Sequence, residues 1–217
     1  MFQRFGISSL RMSIPYHHHR KPAELERAEY LVSSNVGRTL TATRQAVLDA
    51  RCAADWLFET GHRRVALLGT SIGSCIAFLA FAHDHRFSSG AFIHVSSHFA
   101  DVVWSGLSTT HVRKALSESI SLEQLRLLWT PISPSPFIRK LKGHARPMLM
   151  ISGEYDMTFL PELTREAYSE LERCGIPVKT MWFPCGHYTM GQFPFSAMAG
   201  YRVLNFFLEQ RSQFLSA

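Results

Sequence analysis

The segment Gly69-Thr70-Ser71-Ile72-Gly73 sets a serine between two glycines, each two residues away. A serine hydroxyl is a weak nucleophile unless a base takes its proton and a third group orients that base. With both partners in place, the chemistry is attack on an acyl carbonyl. The spacing alone is weak evidence, and its surroundings strengthen it. Val65-Ala66-Leu67-Leu68 is a short apolar run of the kind that forms a strand buried on both faces, and Gly73, Ser74 and Ala77 open a helix behind it. A tight strand-to-helix turn would strain Ser71, lift its hydroxyl above the sheet edge and aim a helix N-terminus at it. The backbone N–H of Ile72 would then face any oxyanion that forms. The plainer reading, a Gly-Ser turn with no chemistry, does not need this context.

Both partners are expected later in the chain, in the order Ser, acid, His. Asp156 follows the strand-like run Pro147–Ser152, and His187 follows Val178–Phe183. Each would leave the carboxyl end of a strand, where open α/β sheets bind ligands. Glu154 competes with Asp156, which could instead cap the following helix. His94 and His98 compete with His187, whose place in the strand order favours it. Tyr16-His17-His18-His19-Arg20 reads as a solvated loop, since adjacent histidines diverge and no Cys or carboxylate stands at zinc spacing. Cys75 reads as core filler, and Cys185 as a thiol near the site without a nucleophile's role.

The elements that must carry these residues follow from pattern. Ser8–Ile14 alternates apolar and polar and stops at Pro15, as a first strand would. A helix is expected from Thr39 to about Thr60, with Leu40, Val47, Ala50, Ala54 and Leu57 on one face. Strands at Val65–Leu68, Ala91–Val95, Pro147–Ser152 and Val178–Phe183 alternate with helices at Ser74–His83, Glu162–Arg173 and Phe195–Gln210. This predicts an α/β fold around a mostly parallel sheet of about five strands. Residues 96–145 interrupt the rhythm with short helical patterns and a proline-rich stretch. An insertion of that length at a sheet edge usually covers a site. As a lid or acyl pocket it would offer His98, Phe99 and Trp104, although the same aromatics could pack a small core of its own.

Composition narrows the function further. Residues 1–217 fit one domain. The charge of +6 arises from scattered cations, with no run of five or six, so a nucleic-acid footprint is not expected. Four dispersed cysteines without a C-x-x-C pair suit reduced thiols and a cytoplasmic location. The acid-free first 21 residues resemble a transit peptide in composition, but the strand-like pattern within them argues otherwise. No apolar run reaches the ~18 residues of a membrane helix.

With Ser71, Asp156 and His187 in place, the chain resembles the α/β-hydrolase superfamily, and more narrowly bacterial relatives of α/β-hydrolase domain-containing protein eighteen. The blocks that carry the resemblance are S-L-R-M-S-I-P-Y-H, G-R-T-L-T-A-T-R-Q-A-V-L-D-A-R, G-T-S-I-G-S-C-I-A-F, H-V-S-S-H-F-A-D-V-V-W, Y-D-M-T-F-L-P and P-C-G-H-Y-T. The resemblance implies a serine hydrolase of ester or related acyl bonds, esterase- or lipase-like, with no metal or organic cofactor and a small-molecule or lipid-like acyl ester as substrate. It also implies an N-terminal truncation. The Ser8–Ile14 strand resembles the fourth of eight, Met1–Gly6 resembles the end of the preceding helix, and the loop after the third strand would supply a second oxyanion donor. A catalytically impaired fragment and an acyltransferase using the same three residues are the alternatives.

Overall fold

A computed structural model describes residues 2–25, 30–144 and 146–215. Met1 and Ala145, which belong to the expected N-terminal helix end and insertion, lie outside the described residues. Helix α1 (Val36–Glu59) starts three residues before the expected Thr39, because the Asn35 side chain accepts a hydrogen bond from the Arg38 N–H at 2.9 Å. Its inner face is built of small residues, Thr39, Ala42, Thr43, Ala46, Ala50 and Ala54, while Leu40, Val47 and Leu57 are only partly buried. Small side chains let α1 lie close against α2 (Ile72–His83), whose residues from Ser74 to Ala82 are all buried.

Strands β1 (Val65–Thr70), β2 (Phe87–Ile93), β3 (Met148–Gly153) and β4 (Lys179–Phe183) form one parallel sheet in the order β1-β2-β3-β4. The register pairs Thr70 with Ile93, Ile93 with Ile151, and Gly153 with Phe183. The carboxyl ends of all four strands therefore meet at one edge. Successive residues of β2 and β3 serve opposite faces. Phe92 and Met150 join α1, α2 and α6 (Pro161–Arg173), whereas Ala91, Leu149 and Ile151 meet Val203 and Phe206 of α7 (Phe195–Leu215). Phe78 and Phe81 of α2 meet Phe92 edge to face, with ring centres 5.5 and 5.7 Å apart.

The sheet has four strands, one fewer than the sequence suggests. Ser8–Ile14 forms no strand, and Leu10 is 51% exposed. Alternation creates a face but cannot supply a ladder, and no described residues offer this segment a partner between it and β1. Strand β1 is consequently an edge, with Ala66, Leu68 and Thr70 exposed. Phe2–Phe5 is a 3₁₀ turn.

Between β2 and β3, helices α3 (Phe99–Ser105), α4 (Thr110–Ser117) and α5 (Leu122–Leu128) share a cluster with Cys75 and Leu79 of α2. The α5 start is a capping box, in which Ser121 and Gln124 satisfy each other's backbone N–H. Among the described residues no helix is long and apolar enough to cross a membrane.

Candidate active site

Ser71 sits between β1 and α2 with φ 55° and ψ −129°, a backbone state that costs about 1–3 kcal/mol for a side-chain-bearing residue. Three bonds hold it there. Its N–H donates to the Ile93 carbonyl at 2.9 Å, and its own carbonyl accepts from the Ser74 N–H at 2.8 Å and the Ser74 hydroxyl at 2.7 Å. The two flanking glycines are not equivalent. A Cβ on Gly69 would stand 2.2 Å from the Gly73 carbonyl oxygen, so the crossing of strand and helix requires glycine there. A Cβ on Gly73 would meet nothing within 4 Å.

The turn raises the Ser71 hydroxyl to 2.9 Å from His187 Nε2. The other ring nitrogen, Nδ1, is 2.9 Å from Asp156 Oδ2. Two strands deliver these partners, and their loops are laced together. Glu154 N–H donates to Phe183 O at 2.8 Å and Tyr155 N–H to Cys185 O at 3.1 Å. A Cβ on Gly153 would lie 2.4 Å from the Cys185 carbonyl, so the loops touch backbone to backbone. The Phe159 ring lies parallel to the His187 imidazole, 5.4 Å away and tilted by 4°.

Asp156 is buried, and its oxygens divide the work. Oδ1 accepts the N–H groups of Thr158 at 2.7 Å and Phe159 at 2.8 Å, closing a turn ahead of α6, whose cap residue is Leu160. Oδ2 faces imidazole. Burial on its own would raise the carboxyl pKa, but the His187 and His94 contacts and the Thr158 N–H outweigh it and hold Asp156 well below the usual carboxylate range. Glu154, the rival acid, is exposed and lies off the imidazole.

Of the rival bases, His98 is half-buried at the start of α3, away from Ser71's hydroxyl bond. His94 is buried and stands behind the acid, its Nδ1 2.7 Å from Asp156 Oδ2. The sequence treats His94 only as a competitor of His187, and nothing in its spacing signals a place beside Asp156. Ile72 is the first residue of α2, where a backbone N–H has no partner inside the helix. Phe99 is buried edge to face against Trp129 in the packing of the insertion, with ring centres 5.5 Å apart. Trp104 is half-buried beneath the Arg113 guanidinium. Among the described residues His94, Asp156 and His187 are the group of three that could in principle ligate a metal, with ligand atoms within 4.8 Å of one another.

No protein-family model matches the chain, and no curated protein matches it in sequence. Solved structures do. An acylaminoacyl peptidase from Pyrococcus horikoshii superposes with a TM-score of 0.60 at 16% identity, over 72% of this chain and 26% of the peptidase. A puromycin hydrolase variant gives 0.60 at 20% identity, over 79% of this chain and 25% of the hydrolase. An esterase from Pyrococcus furiosus gives 0.56 at 18% identity, over 75% of this chain and 60% of the esterase. The likeness is one of fold. The four-stranded parallel sheet with its flanking helices matches part of an α/β-hydrolase, and the chain spans about a quarter of the two longer enzymes.

Proposed function

We propose that this chain is a serine hydrolase that cleaves an ester or related acyl bond through an acyl-enzyme on Ser71. The observation that carries this reading is the unbroken relay from Ser71 Oγ to His187 Nε2 and from His187 Nδ1 to Asp156 Oδ2, each step 2.9 Å. His187 takes the hydroxyl proton as Ser71 Oγ bonds to the acyl carbon. Negative charge moves to the carbonyl oxygen, where the Ile72 N–H and the positive end of α2 would stabilise it. His187 then gives its proton to the departing alkoxide, leaving the acyl-serine. Water, deprotonated by the same imidazole, reverses the sequence and releases the acid. Asp156 stays ionised throughout and balances the imidazolium. No step requires a metal or organic cofactor.

A small acyl ester is the substrate class we favour, in keeping with the esterase and peptidase activities of the enzymes that share the fold. Residues 96–145 would act as its cover, and a cytoplasmic location suits the four free thiols. Turnover of p-nitrophenyl acetate and butyrate, with Ser71→Ala as control, tests the reading. A burst of nitrophenol equal to the enzyme concentration, absent from Ser71→Ala, supports it; equal rates for both proteins would refute it.

One observation favours a second reading, a catalytically weakened α/β-hydrolase-like chain. Strand β1 ends the sheet, so among the described residues no strand beyond it brings a second oxyanion donor to Ser71. Loss of one such donor costs about 10²–10³ in turnover. Under this reading acylation by a reactive ester persists while catalytic turnover is slow.

A further inference from the structure

His94 is 1% exposed and occupies the left-handed region, at φ 61°, directly after β2. A buried residue with a side chain stays in that sparsely populated region only where its surroundings hold it. They do so at both ends of its backbone. The His94 N–H donates to Ile151 O at 2.9 Å, and its carbonyl accepts the Ser74 hydroxyl at 2.7 Å. The same hydroxyl bonds the Ser71 carbonyl, so one side chain ties the serine's turn to the turn at His94.

The strained turn carries the imidazole to Asp156. Its Nδ1 is 2.7 Å from Oδ2, the oxygen that His187 Nδ1 meets at 2.9 Å, and the two rings are 4.5 Å apart. One carboxylate oxygen thus serves two imidazoles. The His94 contact has ion-pair length but lies off a good hydrogen-bond direction, and neither His94 ring nitrogen finds a hydrogen-bond partner among the described residues. An unpaired N–H in such a place costs more than an unpaired lone pair, which favours the tautomer with its proton on Nδ1, facing the carboxylate.

We propose that His94 is a positioning residue: it holds Oδ2 of Asp156 from behind and thereby sets how His187 is presented to Ser71. This rests on the serine-hydrolase reading above. The Phe159 ring lies beside both imidazoles, its centre 6.5 Å from that of His94 and 5.4 Å from that of His187.

A metal centre fits these atoms less well. Ligands of one tetrahedral zinc stand about 3.3 Å apart given Zn–N bonds near 2.05 Å. The spacings here are 2.7 and 2.9 Å, the lengths of direct contacts to a shared oxygen.

Two substitutions test the role. His94→Asn keeps an uncharged donor near the Nδ1 position and tolerates a left-handed φ. His94→Leu removes the donor. The primary readout is the ¹H chemical shift of the His187 Nδ1–H at one fixed pH, assigned by its loss in His187→Gln, and it needs no turnover. His94→Leu should shift this resonance, since Oδ2 then serves His187 alone, and His94→Asn should bring it back toward the wild-type position. With p-nitrophenyl butyrate, His94→Leu should lower kcat about tenfold with KM within about twofold, and His94→Asn should restore most of the loss. A His187 resonance unmoved in both variants, or displaced equally in both, would overturn the proposal; should His94→Leu not fold, a His94→Asn resonance far from the wild-type position would do so. Zinc retained by the purified wild type and lost from His94→Asn would overturn it too. If the wild type neither acylates nor turns over while the His187 resonance responds to His94 in this way, the hydrolase reading fails and the contact between the histidines stands.

Discussion

Asp156 divides its two oxygens between a backbone turn and a pair of imidazoles, and that division explains why an acid so well buried stays charged. Its folded-state pKa lies below the ordinary carboxylate value, so its ionised contacts contribute stability above that ordinary value of about 4. The contribution is lost only as pH falls through the lower, folded value. A fall in activity between about pH 5 and 7 therefore does not come from Asp156. Asp156→Asn should reduce kcat about 10⁴-fold with little change in KM, because the neutral amide can no longer stabilise the imidazolium or fix its tautomer. Steady-state kinetics check this, and a loss below tenfold would mean that Asp156 is not the acid. That Ser71, Asp156 and His187 would meet at one sheet edge was legible because each follows a recognisable strand. The choice of Asp156 over Glu154 needed the fold, because two carboxylates two residues apart look alike until one is buried against the ring. The second imidazole was not legible at all. It depends on one left-handed φ and on two loops meeting, and neither leaves a mark in local composition.

At the scale of elements, the turn between β1 and α2 is where sequence and structure disagree most usefully. The motif sets a glycine two residues to either side of Ser71, but only Gly69 is crossed by another stretch of backbone. Gly69→Ala must push β1 and α2 apart and should cost about 1–3 kcal/mol in unfolding free energy. Gly73→Ala lies within the first helical turn with open space at its Cβ, and should be neutral or stabilising by up to about 1 kcal/mol. Urea unfolding of the two variants gives the comparison, and an equal loss in both would contradict it. Four strands and their helices were readable from apolar runs separated by periodic segments. The expected strand at Ser8–Ile14 was not formed, because its alternation has no ladder to join. The earlier start of α1 reflects the Asn35 cap, a single side chain that overrides the periodic pattern.

Across the whole molecule, the far ends of the strands are pinned by charge, opposite the edge that carries Ser71. Asp84, where α2 ends, receives Arg86 at 2.7 Å and Arg51 of α1 at 3.2 Å, while Arg146 donates to the Phe81, Asp84 and Phe87 carbonyls. The Arg86 hydrogen bonds outweigh burial and hold the Asp84 carboxyl below the usual range. Its stabilising effect is therefore full above the ordinary value of about 4 and disappears as pH drops through the folded value. Asp84→Asn should cost about 1–3 kcal/mol at pH 7, allowing for the half-exposed arginines, and should keep most of that cost at pH 3, which still lies above the folded value. Denaturation at the two pH values measures the gap, and a gap that has vanished at pH 3 would refute the assignment. With that end fixed, β1, β3 and β4 bring the serine, acid and base to one edge. In the proposed mechanism the relay activates Ser71. Intact-mass analysis and peptide mapping after incubation with a fluorophosphonate read that activation out. One adduct per chain is expected, on Ser71, lost in Ser71→Ala and strongly slowed in His187→Gln. A folded wild type that gains no adduct, or gains it on another residue, would contradict it.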